Sequence, residues 1–204
     1  MKNKKGINKN LPNQLTIFRI ILGIIVIITM IFPFNMMNIS FPKYLINDNV
    51  VIDIKLIICS FLFVIAAITD FLDGYIARKY NLVSDFGKMI DAIADKILVN
   101  GMLIALSGEG YIGSIIPIIV VLRDTIVNSI KMLAGSKGEV VAAIKTGKFK
   151  TAFLMVGISL KLIGNYPFGL INVAFDDFCI ITGTVLSLVS GFEYFVLYRK
   201  YMKI

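Results

Sequence analysis

The chain contains no histidine, and its two cysteines, Cys59 and Cys179, lie inside apolar runs. Two thiols without an imidazole cannot assemble a zinc site, and no phosphohistidine intermediate can form. The cysteines read as small apolar residues and say nothing of redox compartment. Acids are scarce as well, with 13 Asp and Glu against 21 Lys and Arg, a formal net charge of +8. Charged residues make up 17% of the 204 residues and hydrophobic ones 57%, which excludes an ordinary soluble domain. No small-residue cleavage site follows the first apolar run, so that run is expected to be a retained helix and not a removable signal peptide. Nor is there an internal repeat of fixed period, or a pair of interrupted spans of the kind transporters often carry.

What is present is a series of apolar stretches near bilayer length. Spans are expected near 15–33, 51–69, 89–107, 111–134, 151–171 and 178–198, an all-α integral membrane protein with six transmembrane helices. The basic head, residues 1–10, is expected to be disordered, and residues 11–204 to form a single membrane domain. Helix two should run past the membrane surface to about Tyr80, with a turn at 81–84 and helix three starting around Asp85. Residues 34–50 read as an external loop, with room for a short interfacial helix. Neither that loop nor 166–177 carries a functional reading.

Cations are distributed unevenly across the expected topology. Lys2, Lys4, Lys5, Lys9, Arg78, Lys79, Lys88, Lys137, Lys145, Lys148, Lys150, Arg199, Lys200 and Lys203 fall on one side, Lys43 and Lys55 on the other. Both termini are therefore expected on the cytoplasmic side of the cell membrane. No aromatic-interleaved motif accompanies these cations, so anionic lipid or phosphate, not nucleic acid, is the expected partner.

Five acids crowd into residues 70–95, DFLDGYIARKYNLVSDFGKMIDAIAD. On a helix, Asp70, Asp73, Gly74, Ala77 and Arg78 share a face, and Gly87, Asp91 and Asp95 share another. Antiparallel packing across a short turn would bring the two stripes together. Four carboxylates packed in a partly dry site repel one another, and two divalent cations resolve the conflict. An all-oxygen set suits Mg²⁺, Mn²⁺ or Ca²⁺. Gly74, Ala77 and Gly87 would leave room for a substrate, and Arg78 is the natural contact for a phosphate oxygen. Asp85, Lys79 and Lys88 are expected to be merely solvated.

A second cluster is cationic. Arg123 and Lys131 lie on one face of span four, and Lys145, Lys148 and Lys150 follow in the next loop. Together they suggest a pocket beside the aspartates for an acceptor that itself carries a phosphate. Against this, Lys137 and Lys145 also fit a purely topological signal, and Arg123 could pair with Asp124 or snorkel. A different class of reading, a cation transporter binding its ion at the intramembrane aspartates, also stays open at this point.

The spacing Asp70-x2-Asp73-Gly74-x2-Ala77-Arg78-x8-Gly87-x3-Asp91-x3-Asp95 resembles, at all eight fixed positions, the signature of the CDP-alcohol phosphotransferase family. The resemblance implies the six-helix fold of that family, usually a homodimer, and an enzyme that cleaves the pyrophosphate of a CDP-linked donor with two divalent metals. It implies that Asp70, Asp73 and Asp91 are metal ligands, with Asp70 and Asp91 touching both ions. Asp95 would serve as second-metal ligand and proton acceptor. Gly74, Arg78 and Ser84 match positions that hold the CDP part of the donor, and Asn13 to Thr16 resemble the segment that closes over it. Absence of another evident nucleophile favours direct displacement.

The opening LPNQLTIFRI and the Arg123-Asp124 pair followed by Gly147-Lys148-x-Lys150-Thr151 are similar to one branch of that family. This branch joins CDP-diacylglycerol to sn-glycerol 3-phosphate, which implies that Arg123, Lys131, Lys148 and Lys150 bind the acceptor phosphate. Asp124 stands where Glu is common and Lys131 where Arg is usual, and lysine cannot reproduce a bidentate arginine grip. Phosphatidylglycerol, inositol phosphate and serine therefore stay open as alternative acceptors.

Overall fold

The structure, a computed structural model, describes residues 10–46, 50–80, 82, 84–138, 141 and 144–199. Residues 1–9 of the basic head lie outside the described residues, as do Lys200 and Lys203 and the side chains of Asp85 and Lys88. Six α-helices are present among the described residues: α1 (Leu11–Ile31), α2 (Ile54–Tyr80), α3 (Asp85–Gly108), α4 (Ile115–Ser136), α5 (Lys145–Leu162) and α6 (Phe175–Tyr198). Local chemistry accounts for their ends. Pro12 sits in the first turn of α1, where its missing N–H costs nothing, and Pro33 holds Phe32 extended to stop the helix. Ser84 caps α3, its hydroxyl accepting from the Gly87 N–H at 3.0 Å. Gly164 and Asn165, both left-handed, terminate α5.

α1, α2 and α6 are long and apolar enough to cross a bilayer, and the chain is a membrane protein. α3, α4 and α5 do not meet that measure, because they carry Asp91, Asp95, Arg123, Asp124, Lys148 and Lys150 among their apolar residues. Large side chains such as Ile28, Phe61, Phe178 and Phe192 are exposed on the outer surface, the reverse of a soluble protein.

Two segments differ from expectation. Residues 34–50 contain a 3-10 turn at Phe34–Met37 and strand β1 (Lys43–Ile46), which pairs antiparallel with β2 (Val50–Asp53) in the register Lys43↔Asp53. Val50–Asp53, expected as the beginning of span two, is a strand because its β-branched residues suit a pleated surface. The Asp53 carboxylate then accepts from the Lys55 N–H at 2.8 Å as α2 starts. Span five, expected over 151–171, is instead a helix over Lys145–Leu162, so Lys145, Lys148 and Lys150 belong to its first turns and not to a loop.

Packing also departs from the simple hairpin of α2 and α3. α1 packs along both of them, and they barely touch each other. The buried core is built from Val26, Met30, Phe63, Leu98, Met102, Leu106, Leu154 and Ile158, joined by Ile180 of α6. Without a hydrophobic driving force between helices in lipid, close approach depends on small residues. A Cβ on Gly157 would stand 2.6 Å from Ile180 Cγ1, and one on Gly183 would stand 2.8 Å from Leu154 Cγ, so these glycines seat α5 against α6.

Candidate active site

A cavity of about 220 Å³ opens where α1, α2 and the start of α3 meet. Pro12, Asn13 and Thr16 come from α1, Asp73, Gly74, Ala77 and Arg78 from α2, and Ser84, Gly87 and Asp91 from the cap and first turns of α3. Asn13, Thr16, Gly74, Ala77, Arg78, Ser84 and Gly87, expected around the donor, all line it, and Asp70 lines the neighbouring cavity. Small residues make the space. A Cβ on Gly87 would lie 2.7 Å from Asn13 Oδ1 and 3.0 Å from Ser84 Oγ, and one on Gly74 would lie 3.2 Å from the Arg78 guanidinium.

Asp73 and Asp91 of this cavity converge with Asp70, each offering a carboxylate oxygen within 4.8 Å of the others. Asp73 is buried, Asp70 half-buried and Asp91 exposed. Asp95, one turn beyond Asp91, is not part of this triad and lines the larger cavity beside it. Thr16 donates to Asp73 at 3.0 Å, tying the start of α1 to the second aspartate.

At the centre of the triad stands Arg19 of α1, fully buried, a residue that the spacing of the aspartates does not reveal. Its guanidinium pairs with Asp70, with Asp73 at 3.2 Å and with Asp91 at 2.5 Å. The signal for it was available: a lone cation in an apolar run is expensive unless paired, and Arg19 shares a helical face with Pro12 and Thr16. Three carboxylates and one guanidinium leave two negative charges. With oxygen as the only donor type, that set fits a hard divalent cation.

The larger cavity, about 940 Å³, runs from Asp70, Arg78, Asp91 and Asp95 to α4, α5 and α6. Arg123, Lys131, Lys148 and Lys150, the expected acceptor cations, all line it, whereas Lys137 and Lys145 do not. Lys131 Nζ lies 5.0 Å from the centre of the Tyr194 ring, and Arg123 Cζ lies 5.7 Å from it. Arg123 does pair with Asp124, at 2.9 Å, and Lys150 reaches the same carboxylate oxygen at 2.5 Å. Arg123 also donates to the Ser187 carbonyl at 3.1 Å and to Ser190 Oγ at 2.6 Å. Those three bonds use three of its five N–H donors. Ser187, Ser190 and Tyr194 are not legible as site residues, since nothing in sequence spacing links α4 to α6, and Asp124 is legible only as the local partner of Arg123.

A family profile described as CDP-alcohol phosphatidyltransferase matches residues 9–189, which include the smaller cavity and all of the larger one's lining but Tyr194. The chain belongs to that family. Among its relatives is the CDP-diacylglycerol–glycerol-3-phosphate 3-phosphatidyltransferase of Bacillus subtilis, 37% identical over 91% of this chain and 93% of that protein. Enzymes of the same name from Mycoplasma pneumoniae and Rickettsia felis are 39% and 32% identical, over 75% and 96% of this chain and 67% and 98% of theirs. A CDP-alcohol phosphatidyltransferase is an enzyme, and the transporter reading falls with that membership.

Proposed function

We propose that this chain transfers the phosphatidyl group of CDP-diacylglycerol to sn-glycerol 3-phosphate, giving phosphatidylglycerophosphate and CMP. The names of the relatives support this reading. The observation that carries it is the meeting of the two cavities, which share Arg78 and Asp91. A donor in the smaller one and a phosphate-bearing acceptor among the cations of the larger one face each other across the aspartates.

In this reading Asn13, Thr16, Asp70, Asp73, Gly74, Ala77, Arg78, Ser84 and Gly87 hold CDP-diacylglycerol, and Arg123, Lys131, Lys148 and Lys150 hold the acceptor phosphate. Asp70, Asp73, Asp91 and Asp95 would hold two Mg²⁺ ions, or Mn²⁺, which accepts the same oxygens. Bound metal supplies positive charge against the phosphate oxygens and the departing CMP. Asp95 takes the proton of the acceptor hydroxyl as its oxygen attacks the lipid-side phosphorus. The bond from that phosphorus to the CMP oxygen breaks, and CMP leaves with the electron pair. Arg19 keeps Asp73 and Asp91 oriented throughout.

All six helices cross the membrane as one domain over residues 11–204, with α3, α4 and α5 turning their charges inward. Arg123, Asp124 and Lys150 side chains retain only 11%, 15% and 6% exposure, which supports that arrangement. Both termini and the site face the cytoplasm, as the lysine and arginine distribution favours, and the protein works as a homodimer.

The test is CMP release by the detergent-purified protein from CDP-diacylglycerol and Mg²⁺, with glycerol 3-phosphate, phosphatidylglycerol, inositol phosphate and serine supplied singly. Release with glycerol 3-phosphate alone, abolished by EDTA and restored by Mg²⁺, is the expected result. Release with another acceptor keeps the aspartate chemistry and overturns the acceptor assignment; release with none overturns the proposal.

A further inference from the structure

An acid in the wall of a cavity built for a phosphate calls for explanation, because Asp124 repels the ligand that its neighbours attract. It lies in α4, its side chain 15% exposed, and takes donors from three helices. Its Oδ1 accepts from Arg123 Nη1 at 2.9 Å and from Lys150 Nζ of α5 at 2.5 Å, and its Oδ2 accepts from Asn100 Nδ2 of α3 at 3.2 Å. α6 completes the frame: Ser187 and Ser190 fix the other side of Arg123, and Gly191 leaves it space, since a Cβ there would meet Arg123 Cγ at 2.9 Å.

We propose that Asp124 is a positioning residue for acceptor binding, which pins Arg123 and Lys150 side by side through one oxygen so that both present to the same phosphate. Two cations as buried as these repel each other, and either one left uncompensated is strongly disfavoured. One carboxylate between them removes the conflict and fixes their separation. Asn100 in turn holds that carboxylate from the opposite oxygen. Arg123, Lys131, Lys148 and Lys150 against Asp124 leave three positive charges at this end of the cavity, and the whole lining, with six cations and four acids, leaves two, a match for a phosphate monoester dianion and not for a neutral acceptor. Asp124 itself makes no contact with the acceptor.

The inference rests on the reading of the larger cavity as the acceptor site, and kinetics of the full chain separate the two. With CDP-diacylglycerol saturating, Asp124→Asn is expected to raise the KM for glycerol 3-phosphate by about ten- to a hundredfold, the range for loosening a charged contact. The KM for CDP-diacylglycerol should stay where it is, and kcat should move by less than about threefold, since the bonds to the acceptor phosphate are shared by ground and transition states. Asp124→Glu, which restores the carboxylate, should bring the acceptor KM back toward the parent value. Asn100→Ala removes only the Oδ2 contact and gives a smaller rise of the same kind, so the proposal stays testable if Asp124→Asn does not fold. An unchanged acceptor KM in Asp124→Asn or in Asn100→Ala, or a loss confined to kcat, overturns the positioning role while leaving the acceptor assignment intact. A parent enzyme that releases CMP only with a neutral acceptor overturns both.

Discussion

Replacing Arg19 by Gln leaves Asp70, Asp73 and Asp91 facing one another without their cation. Removing one partner of a fully buried ion pair costs about 3–5 kcal/mol. Asp70 and Asp91 side chains keep 38% and 54% exposure, so solvent screens their share, and the fully enclosed pair is Arg19 with Asp73, at 3.2 Å and 5% exposure. The lower end of the range, about 3 kcal/mol, is therefore the appropriate figure. In a chain of this size each kcal/mol moves the apparent Tm by about 2–4 °C, so a drop of about 6–12 °C in EDTA is expected. Cys59 and Cys179 are both buried, and a thiol-reactive fluorophore reports their exposure as the detergent-purified protein melts. Mg²⁺ should recover more of the loss in the variant than it adds to the parent, because a divalent cation takes over the missing positive charge. Arg19→Lys keeps a charge but not the two-armed contact and should fall between. An unaltered Tm for Arg19→Gln in EDTA would refute the view that this guanidinium holds the aspartates together.

Other positions give separate readouts. Asp95→Asn should lower CMP release by at least ~10²-fold while CDP-diacylglycerol still binds, and substantial residual activity would remove Asp95 from proton transfer. Gly87→Ala places a Cβ 2.7 Å from Asn13 Oδ1, so the KM for CDP-diacylglycerol should rise and that for glycerol 3-phosphate should not; the opposite pattern would exchange the two cavities. Gly157→Ala meets the Ile180 backbone nitrogen at 3.0 Å, which cannot swing aside, and a loss of about 1–3 kcal/mol should appear in the same melting assay. No shift there would mean that α5 and α6 can part without cost.

Much of this is legible in the sequence. Periodicity at three and four residues placed Asp70, Asp73, Gly74, Ala77 and Arg78 on one helical face and Gly87, Asp91 and Asp95 on another, and α2 and α3 run over Ile54–Tyr80 and Asp85–Gly108 as those spacings require. Helix ends near Pro33, Ser84 and Tyr80 followed from local stereochemistry that depends on neighbouring residues only. The hairpin at Lys43–Asp53 and the early start of α5 at Lys145 were not legible, because an apolar run beside a loop looks alike as strand or helix, and lysines at a helix start look like a basic loop.

Sequence by itself determined the composition of the site: which acids lie one turn apart, which residues are small enough to leave space beside them, and that the chain is too apolar to live in water. Those properties are local or additive, and a window of twenty residues contains them. Only the tertiary structure decided that α1 comes between α2 and α3, that Arg19 closes on three aspartates from 51 to 72 positions away, and that Asp124 gathers Arg123, Lys150 and Asn100 from three helices. Such pairings depend on how helices approach in space, and electrostatic energy between buried charges is set by that distance and not by separation along the chain.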